Sequence, residues 1–432
     1  MSLILILAVE ILLGSMLKDI IPYDILEWIL VGANAIIVGL YLSIKVKSKK
    51  TFYILYVAYL VRLVFMYSDL YRAPLPFSGG DTWSFHYTGI KIADALPYKL
   101  LESPYGAYAQ FVGFIYYFMG GPVKMFAQNI NIILFIVSTI SILEILNIYK
   151  VSNKYIDRAL MIYTWFMPVA MFQSCILLRE MLIVLFMTLS ICSILKWLNN
   201  YGNIHILSAF LFLFLASVFH SGLVFTILPY TFIFGTYDSR YKKFIVTPKS
   251  IMLLMLVVVA IIVGFTIFGD YFVHLEGMED FQSILDTVNR TEIAKQSGSG
   301  YLVGLKVVGA VGLVLLTPLK ELYFLFSPMP WQIRGGMDLL TFVLDSMLYV
   351  ILIRSYMNMK NEKHKIPQHI YNVVRMLYVT YLIMMIPYAW GTFAAGTAIR
   401  HRFKAFAILL IAYSIHTYYI NEYEEEKNLV RS

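Results

Sequence analysis

The chain is 432 residues long, 60% hydrophobic and 14% charged, with 16% aromatic residues and a formal net charge of +8. Soluble globular domains carry about 25% charged residues, so the chain lies well outside the soluble globular range. The composition describes an all-α, polytopic integral membrane protein: apolar runs of about 20 residues recur along it, and the short alternating segments of a β-barrel are absent.

The first apolar run, Leu3–Leu17, has no basic segment before it, carries Glu10 and leads straight into a second run. It reads as a retained first helix, not a signal peptide. Spans are predicted at 3–18, 26–44 and 51–69. Residues 70–126 then form an external loop whose second half, Tyr105 to Gly121, is apolar and aromatic, as expected of interfacial helices. Further spans fall at 127–148, 159–176, 180–198, 204–219, 222–236 and 250–269. Residues 270–300 form an external hydrophilic loop ending Gln296-Ser297-Gly298-Ser299-Gly300. Spans at 303–317, 338–354, 369–390 and 403–420 complete the path. The stretch 318–337, with Pro318, Pro328, Pro330, Trp331 and Arg334, has to end outside. It needs a short extra crossing or a hairpin, which brings the total to about 12 to 14 transmembrane helices.

Orientation follows from the basic loops. Lys45 to Lys50, Lys150 to Arg158, Arg240 to Lys249 and Arg354 to Lys365 belong on the cytoplasmic side, with both termini. The positive charge is thus spread over loops that meet anionic headgroups, and no nucleic-acid partner is expected. No soluble domain, heptad array or internal repeat is visible, so residues 1–432 read as a single membrane domain. Cys175 and Cys192 both sit inside apolar runs and predict neither disulfide nor thiolate site.

On this topology Asp81, His86, Arg179, Glu180, His220, Arg334, Arg400, His401 and Arg402 gather at the outer face. Ionisable groups near membrane depth are costly and ordinarily face a cavity or a partner. In Ser78-Gly79-Gly80-Asp81 the carboxylate is placed to orient or deprotonate a hydroxyl, or to cap a helix starting at Thr82. Arg179, beside Glu180 in a tight external hairpin, is suited to gripping a phosphate through its planar fork, or to snorkelling toward headgroups. His220, before Ser221-Gly222, has an imidazole suited to proton transfer near neutral pH, or is an interfacial helix end. Arg400-His401-Arg402 is a basic cluster on the side where the positive-inside bias disfavours it. Adjacent guanidiniums suit a diphosphate, or an anionic lipid headgroup. Glu144 and Arg375 lie within apolar runs and read as a relay or an internal ion pair. No phosphate loop, His-Glu-x-x-His pair or Gly-x-Ser-x-Gly elbow is present, which leaves an ATPase, a zincin or a serine hydrolase without residues. No metal and no cofactor is expected.

The external loop with Gly79-Gly80-Asp81 and its aromatics, followed by interfacial helices, resembles the first external loop of membrane glycosyltransferases of the GT-C class. The Leu178-Arg179-Glu180 hairpin, the Phe219-His220-Ser221-Gly222 turn and Arg400-His401-Arg402 resemble bacterial envelope polysaccharide polymerases of the Wzy and EpsG-like types. The resemblance covers most of the chain through short motifs. It implies a GT-C-like membrane enzyme of a bacterial plasma membrane, acting in O-antigen or capsule-type polysaccharide synthesis on a polyprenyl-diphosphate-linked sugar. Asp81 and His220 would be catalytic. His86, Arg179, Glu180, Arg334, Arg400, His401 and Arg402 would bind substrate, and other polysaccharide-assembly membrane proteins would be partners. Arg179 and Arg400 would share one anion site. Many EpsG-like chains read Arg-Gln where this one has Arg179-Glu180, which leaves the role of position 180 open. A transporter or flippase of lipid-linked glycans predicts inverted repeats and charges near mid-membrane instead. A non-catalytic assembly factor is the third reading.

Overall fold

The computed structural model describes residues 2–99, 106–268 and 298–431, with 285, 288 and 289. The hydrophilic loop expected at 270–300 therefore lies, for the most part, outside the described residues. The fold is all-α, 79% helical, with seven or eight long apolar helices among the described residues, consistent with a multi-pass membrane protein. Two units are separable by their internal packing: Met1–Leu143 with Asp157–Leu185, and Glu144–Ile156 with Phe186–Ser432.

The first unit starts with α1 (Ser2–Leu17), α2 (Tyr23–Lys45) and α3 (Lys49–Tyr71), whose start is capped by the Ser48 hydroxyl accepting from Thr51 N. Then come α4 (Gly80–Ala95) and α5 (Gly106–Met119), which lie in the segment expected to be interfacial and pack closely on each other. A β-carbon on Gly113 would stand 2.5 Å from Ile92 Cγ2, and one on Gly89 would stand 2.7 Å from Val112 Cγ1. Small residues thus set the α4–α5 crossing distance.

Helix α6 (Lys124–Ile148) has 89% of its spanning window buried, so protein rather than lipid surrounds it. That accounts for its polar residues. Gln128 Nε2 donates to Asp69 Oδ2 at 3.0 Å and Asn129 Nδ2 to Tyr59 Oη at 3.0 Å. Asn131 Nδ2 donates to the carbonyls of Ile176 and Leu178 at 2.8 and 3.0 Å. Polar groups at such depth need partners within the protein.

The span expected at 159–176 is broken. Helix α7 (Asn153–Met161) runs into a π-helical turn, Ile162–Phe166, and an extended Met167 before α8 (Pro168–Gln173). Pro168 has no N–H and its ring clashes with the carbonyl four residues back, that of Thr164. Arg62, fully buried in α3, supplies the missing donor: its Nη2 reaches Thr164 O at 2.8 Å, while Nε donates to Ser174 Oγ at 2.9 Å. Its guanidinium also lies 4.6 Å from the Phe135 ring centroid.

Helix α9 (Glu180–Leu198) leads into the second unit, which continues with α10 (Ile204–Phe219), a 3-10 turn Ser221–Thr226 and α11 (Ile227–Thr236). A two-strand ribbon, β1 (Tyr237–Asp238) and β2 (Lys243–Phe244), pairs antiparallel before α12 (Pro248–Phe268). Next come α13 (Gly309–Phe326), α14 (Gly336–Thr341) and a π-helical turn Phe342–Ser346 that continues into α15 (Met347–Asn358). Helix α16 (Gln368–Gly391) is followed by a short α17 (Ala395–Phe403) and by α18 (Phe406–Arg431). The last two are bent by 62°. Among the described residues, the seven long spans, this bent pair and four shorter apolar helices fall close to the windows predicted from hydropathy, with one exception: the span expected at 303–317 starts at Gly309 and runs through Pro318 to Phe326, into the stretch expected to be an extra crossing or a hairpin.

Candidate functional site

In the second unit, three elements end at one place. His220 terminates α10 with an extended backbone (φ −156°, ψ 99°), so its ring leaves the helix. Its Nδ1 is 3.2 Å from Tyr388 Oη, in the last turns of α16. The His401 ring, on α17, meets the rings of both: 5.1 Å from His220, edge-on, and 5.1 Å from Tyr388. Thr392 Oγ1, between the two helices, lies 3.2 Å from His401 Nδ1. A methyl in place of the Gly222 hydrogen would sit 3.4 Å from the His220 ring, in ordinary contact with it.

Three cations lie on the elements that carry or flank this group of rings. Lys404 is buried and its Nζ lies 5.7 Å from the Tyr388 ring. Lys320, 1% exposed on α13, has its Nζ 4.4 Å from the Phe393 ring and 5.5 Å from that of Trp390, with no hydrogen-bond acceptor among the described residues. Arg400 is half-buried on α17, four residues before Lys404, the helix's C-cap, a spacing that puts both on one side of the helix. The start of α17 is held by a short backbone pairing: Tyr301 N donates to Phe393 O at 2.9 Å and Ala395 N to Ser299 O at 3.0 Å. Lys320 and Tyr388 were not among the residues expected from sequence. A lysine inside the apolar helix 309–326 is itself the signal that would have found the first.

Arg402, expected to bind substrate phosphate, is instead spent on the protein. It is fully buried, and Nη2 pairs with Asp345 Oδ2 at 2.7 Å. Nη1 donates to Leu325 O and Ser327 O at 2.8 and 2.5 Å, the carbonyls left open where α13 ends. Arg334 is exposed and paired with Asp338 Oδ2 at 3.2 Å, close to Gly298. Neither Glu144 nor Arg375, expected as a relay or an internal ion pair, lies in a buried pair among the described residues. Glu144 forms a partly exposed ion pair with Lys196 at 3.6 Å, and Arg375 is exposed.

In the first unit, α4 begins two residues earlier than the cap expectation requires. Gly79 is its N-cap and Asp81 is exposed in the first turn, so Asp81 is not the cap. Its charge nevertheless suits the positive end of the helix. Nothing crowds the positions where β-carbons would stand on Gly79 and Gly80, and the extended φ of −166° at Gly79 asks for no glycine. His86 Nδ1 is 2.9 Å from Tyr116 Oη. Burial, reinforced by Lys124 nearby, pushes its imidazole down to about 4, so it is neutral at physiological pH. Trp83 stacks on Tyr87 at 5.7 Å and covers Lys124 Nζ at 3.8 Å. Beside α4 and α5 is a cleft of about 380 Å³ lined in part by Lys18, Asp19, Asp94, Tyr116 and Tyr117. Arg179 is half-buried at the hairpin that Asn131 pins, and Glu180 is buried in the first turn of α9. Arg179 belongs to the first unit and Arg400 to the second.

Among the described residues no group of three His, Cys, Asp or Glu side chains is placed to hold a metal ion. Comparison with protein-family models, with curated proteins and with solved structures gives no match.

Proposed function

We propose that this multi-pass membrane protein is an enzyme of cell-envelope polysaccharide synthesis, transferring or polymerising sugars carried on a polyprenyl diphosphate, with about 12 to 14 spans and a GT-C-like plan. The observation that carries the reading is the His220–Tyr388–His401 group, with Lys404 against the Tyr388 ring and Lys320 and Arg400 on the neighbouring α13 and α17. Glycosyl transfer from a lipid diphosphate needs two things: a group that takes the proton of the acceptor hydroxyl, and cations that meet the charge growing on the leaving diphosphate. His220, its ring oriented by Tyr388, serves the first need. Arg400 and Lys404 on one side of α17, with Lys320, serve the second. Arg402 supports this geometry by fixing α17 to the end of α13 and does not touch substrate. On the first unit, exposed Asp81, neutral His86 and the Trp83 and Tyr87 rings offer the mix of carboxylate and aromatic faces that suits a glycan hydroxyl. The chain would lie in a bacterial plasma membrane with these groups outward.

The test is binding of a polyprenyl-diphosphate analogue to the purified full chain in nanodiscs, together with the surface glycan profile of cells carrying each variant. Arg400→Lys keeps charge but loses the planar fork, so it should bind more weakly than wild type and better than Arg400→Ala. His220→Gln should bind normally yet leave single repeat units where the parent shows a ladder. Unchanged affinity in Arg400→Ala and an unchanged ladder in His220→Gln would overturn the proposal. Normal glycans together with net movement of lipid-linked sugar across the bilayer would favour a flippase.

A further inference from the structure

A second region of the same unit has its own chemistry, about 20 Å away along α16, taking 1.5 Å per residue between Arg375 and Tyr388. A groove of about 560 Å³ runs between α11, the β1–β2 ribbon and α16, within the usual range of ligand pockets. On α16, Gln368, Asn372, Arg375, Val379 and Ile383 line it, spaced at three and four residues and so forming a single stripe. The stripe changes character along its length. Its first two turns are polar and basic and its next two are apolar, facing Phe232 of α11, which is itself 42% exposed.

Lys243, on β2, joins Arg375 at the polar part. Neither side chain has a carboxylate partner among the described residues. The amides there are already engaged in building the wall: Gln368 Nε2 donates to Asn372 Oδ1 at 2.8 Å, and Asn372 Nδ2 to Lys242 O at 3.2 Å, tying ribbon to helix. Lys243 stands across the ribbon from Asp238, whose Oδ1 accepts from the turn amides of Arg240 and Tyr241, so both cations remain without an ion pair among the described residues; at one end of an apolar groove they are complementary to a molecule with an anionic head and a hydrocarbon tail. The basic stretches Arg240 to Lys249 and Arg354 to Lys365 flank this end and mark it as cytoplasmic, where the leaflet is anionic.

We propose that this groove is a binding site for one anionic phospholipid of the cytoplasmic leaflet. Its phosphate lies between Lys243 and Arg375, and one acyl chain lies against Phe232, Val379 and Ile383. The inference is independent of the glycosyl-transfer reading, because it uses none of the residues assigned there.

The experiment is native mass spectrometry of the full chain, purified in detergent and titrated with dioleoyl-phosphatidylglycerol or dioleoyl-phosphatidylcholine. Phosphatidylglycerol should be retained in preference, as one tightly held adduct. Arg375→Gln and Lys243→Gln should each weaken it about fivefold, the loss expected per basic residue facing an anionic lipid. Val379→Trp, which fills the apolar half, should weaken both lipids. Both basic side chains are exposed, so their variants should keep the wild-type melting temperature; were Arg375→Gln to misfold, Lys243→Gln and Val379→Trp carry the test. Equal retention of the two lipids, wild-type binding by Lys243→Gln and Val379→Trp, or displacement of the adduct by millimolar inorganic phosphate would each overturn the proposal.

Discussion

Removing the counter-charge of Arg402 tests how the second unit is held together. In Asp345→Ala the guanidinium stays fully buried but loses its only ion-pair partner among the described residues. Breaking a buried pair on one side typically costs about 3–5 kcal/mol. Arg402→Ala should be worse, because it also strips the donor from Leu325 O and Ser327 O, which Nη1 now meets at 2.8 and 2.5 Å. Each orphaned buried carbonyl adds about 1–3 kcal/mol. It also removes the guanidinium from the face of Tyr349, 4.7 Å from the ring centroid. Asp345→Leu with Arg402→Met takes out both charges at once. The double variant should therefore be less damaged than the sum of its singles, by about 2 kcal/mol or more within the range seen for contacting residues. It should still fall short of wild type, since the carbonyls at the end of α13 remain unmet. The assay is reversible unfolding of purified variants in detergent by denaturant, with Asp345→Asn as the milder form where a variant accumulates poorly. An Asp345→Ala protein within about 0.5 kcal/mol of wild type, the span of ordinary surface changes, would refute the reasoning. So would strict additivity in the double variant.

Three other outcomes are expected. Gly113→Ala puts a methyl 2.5 Å from Ile92 Cγ2, so α4 and α5 must part at a cost of about 1–3 kcal/mol; an unchanged melting temperature would show that the crossing is loose. His86 has a folded-state pKa of about 4, below its unfolded value of 6.5, so below pH 6.5 the unfolded chain binds a proton that the folded one refuses. Stability is therefore complete above pH 6.5 and lost as pH falls toward 4, and His86→Phe should flatten that slope in pH-dependent unfolding curves. For topology, Tyr98→Cys, at a position 89% exposed, should react with an impermeant thiol reagent in intact cells, while Lys47→Cys should not; Cys175 and Cys192 are buried and leave little background. Labelling at 47 alone would reverse the assignment of the outer face.

Hydropathy and loop charge alone determined the class of this protein, the windows of most of its helices and the direction expected for them. A run of about 20 apolar residues has few alternatives to a spanning helix, since lipid supplies no partner for an open backbone. The His220 and His401 positions were also visible as polar residues where apolar runs end. What each arginine does was decided only by tertiary structure. In the sequence Arg400 and Arg402 look alike, and Arg62 looks like a charge lost in a span. Two residues along a helix turn a side chain by about 200°, so Arg402 faces inward to Asp345 and the end of α13 while Arg400 stays half-exposed. Arg62 meets the carbonyl freed by Pro168, 106 positions later in the chain. Arg375 had looked internal because its neighbours are apolar, yet it stands at the mouth of a groove. Periodicity tells which residues share a face, and only packing tells whether that face meets protein, lipid or a cavity.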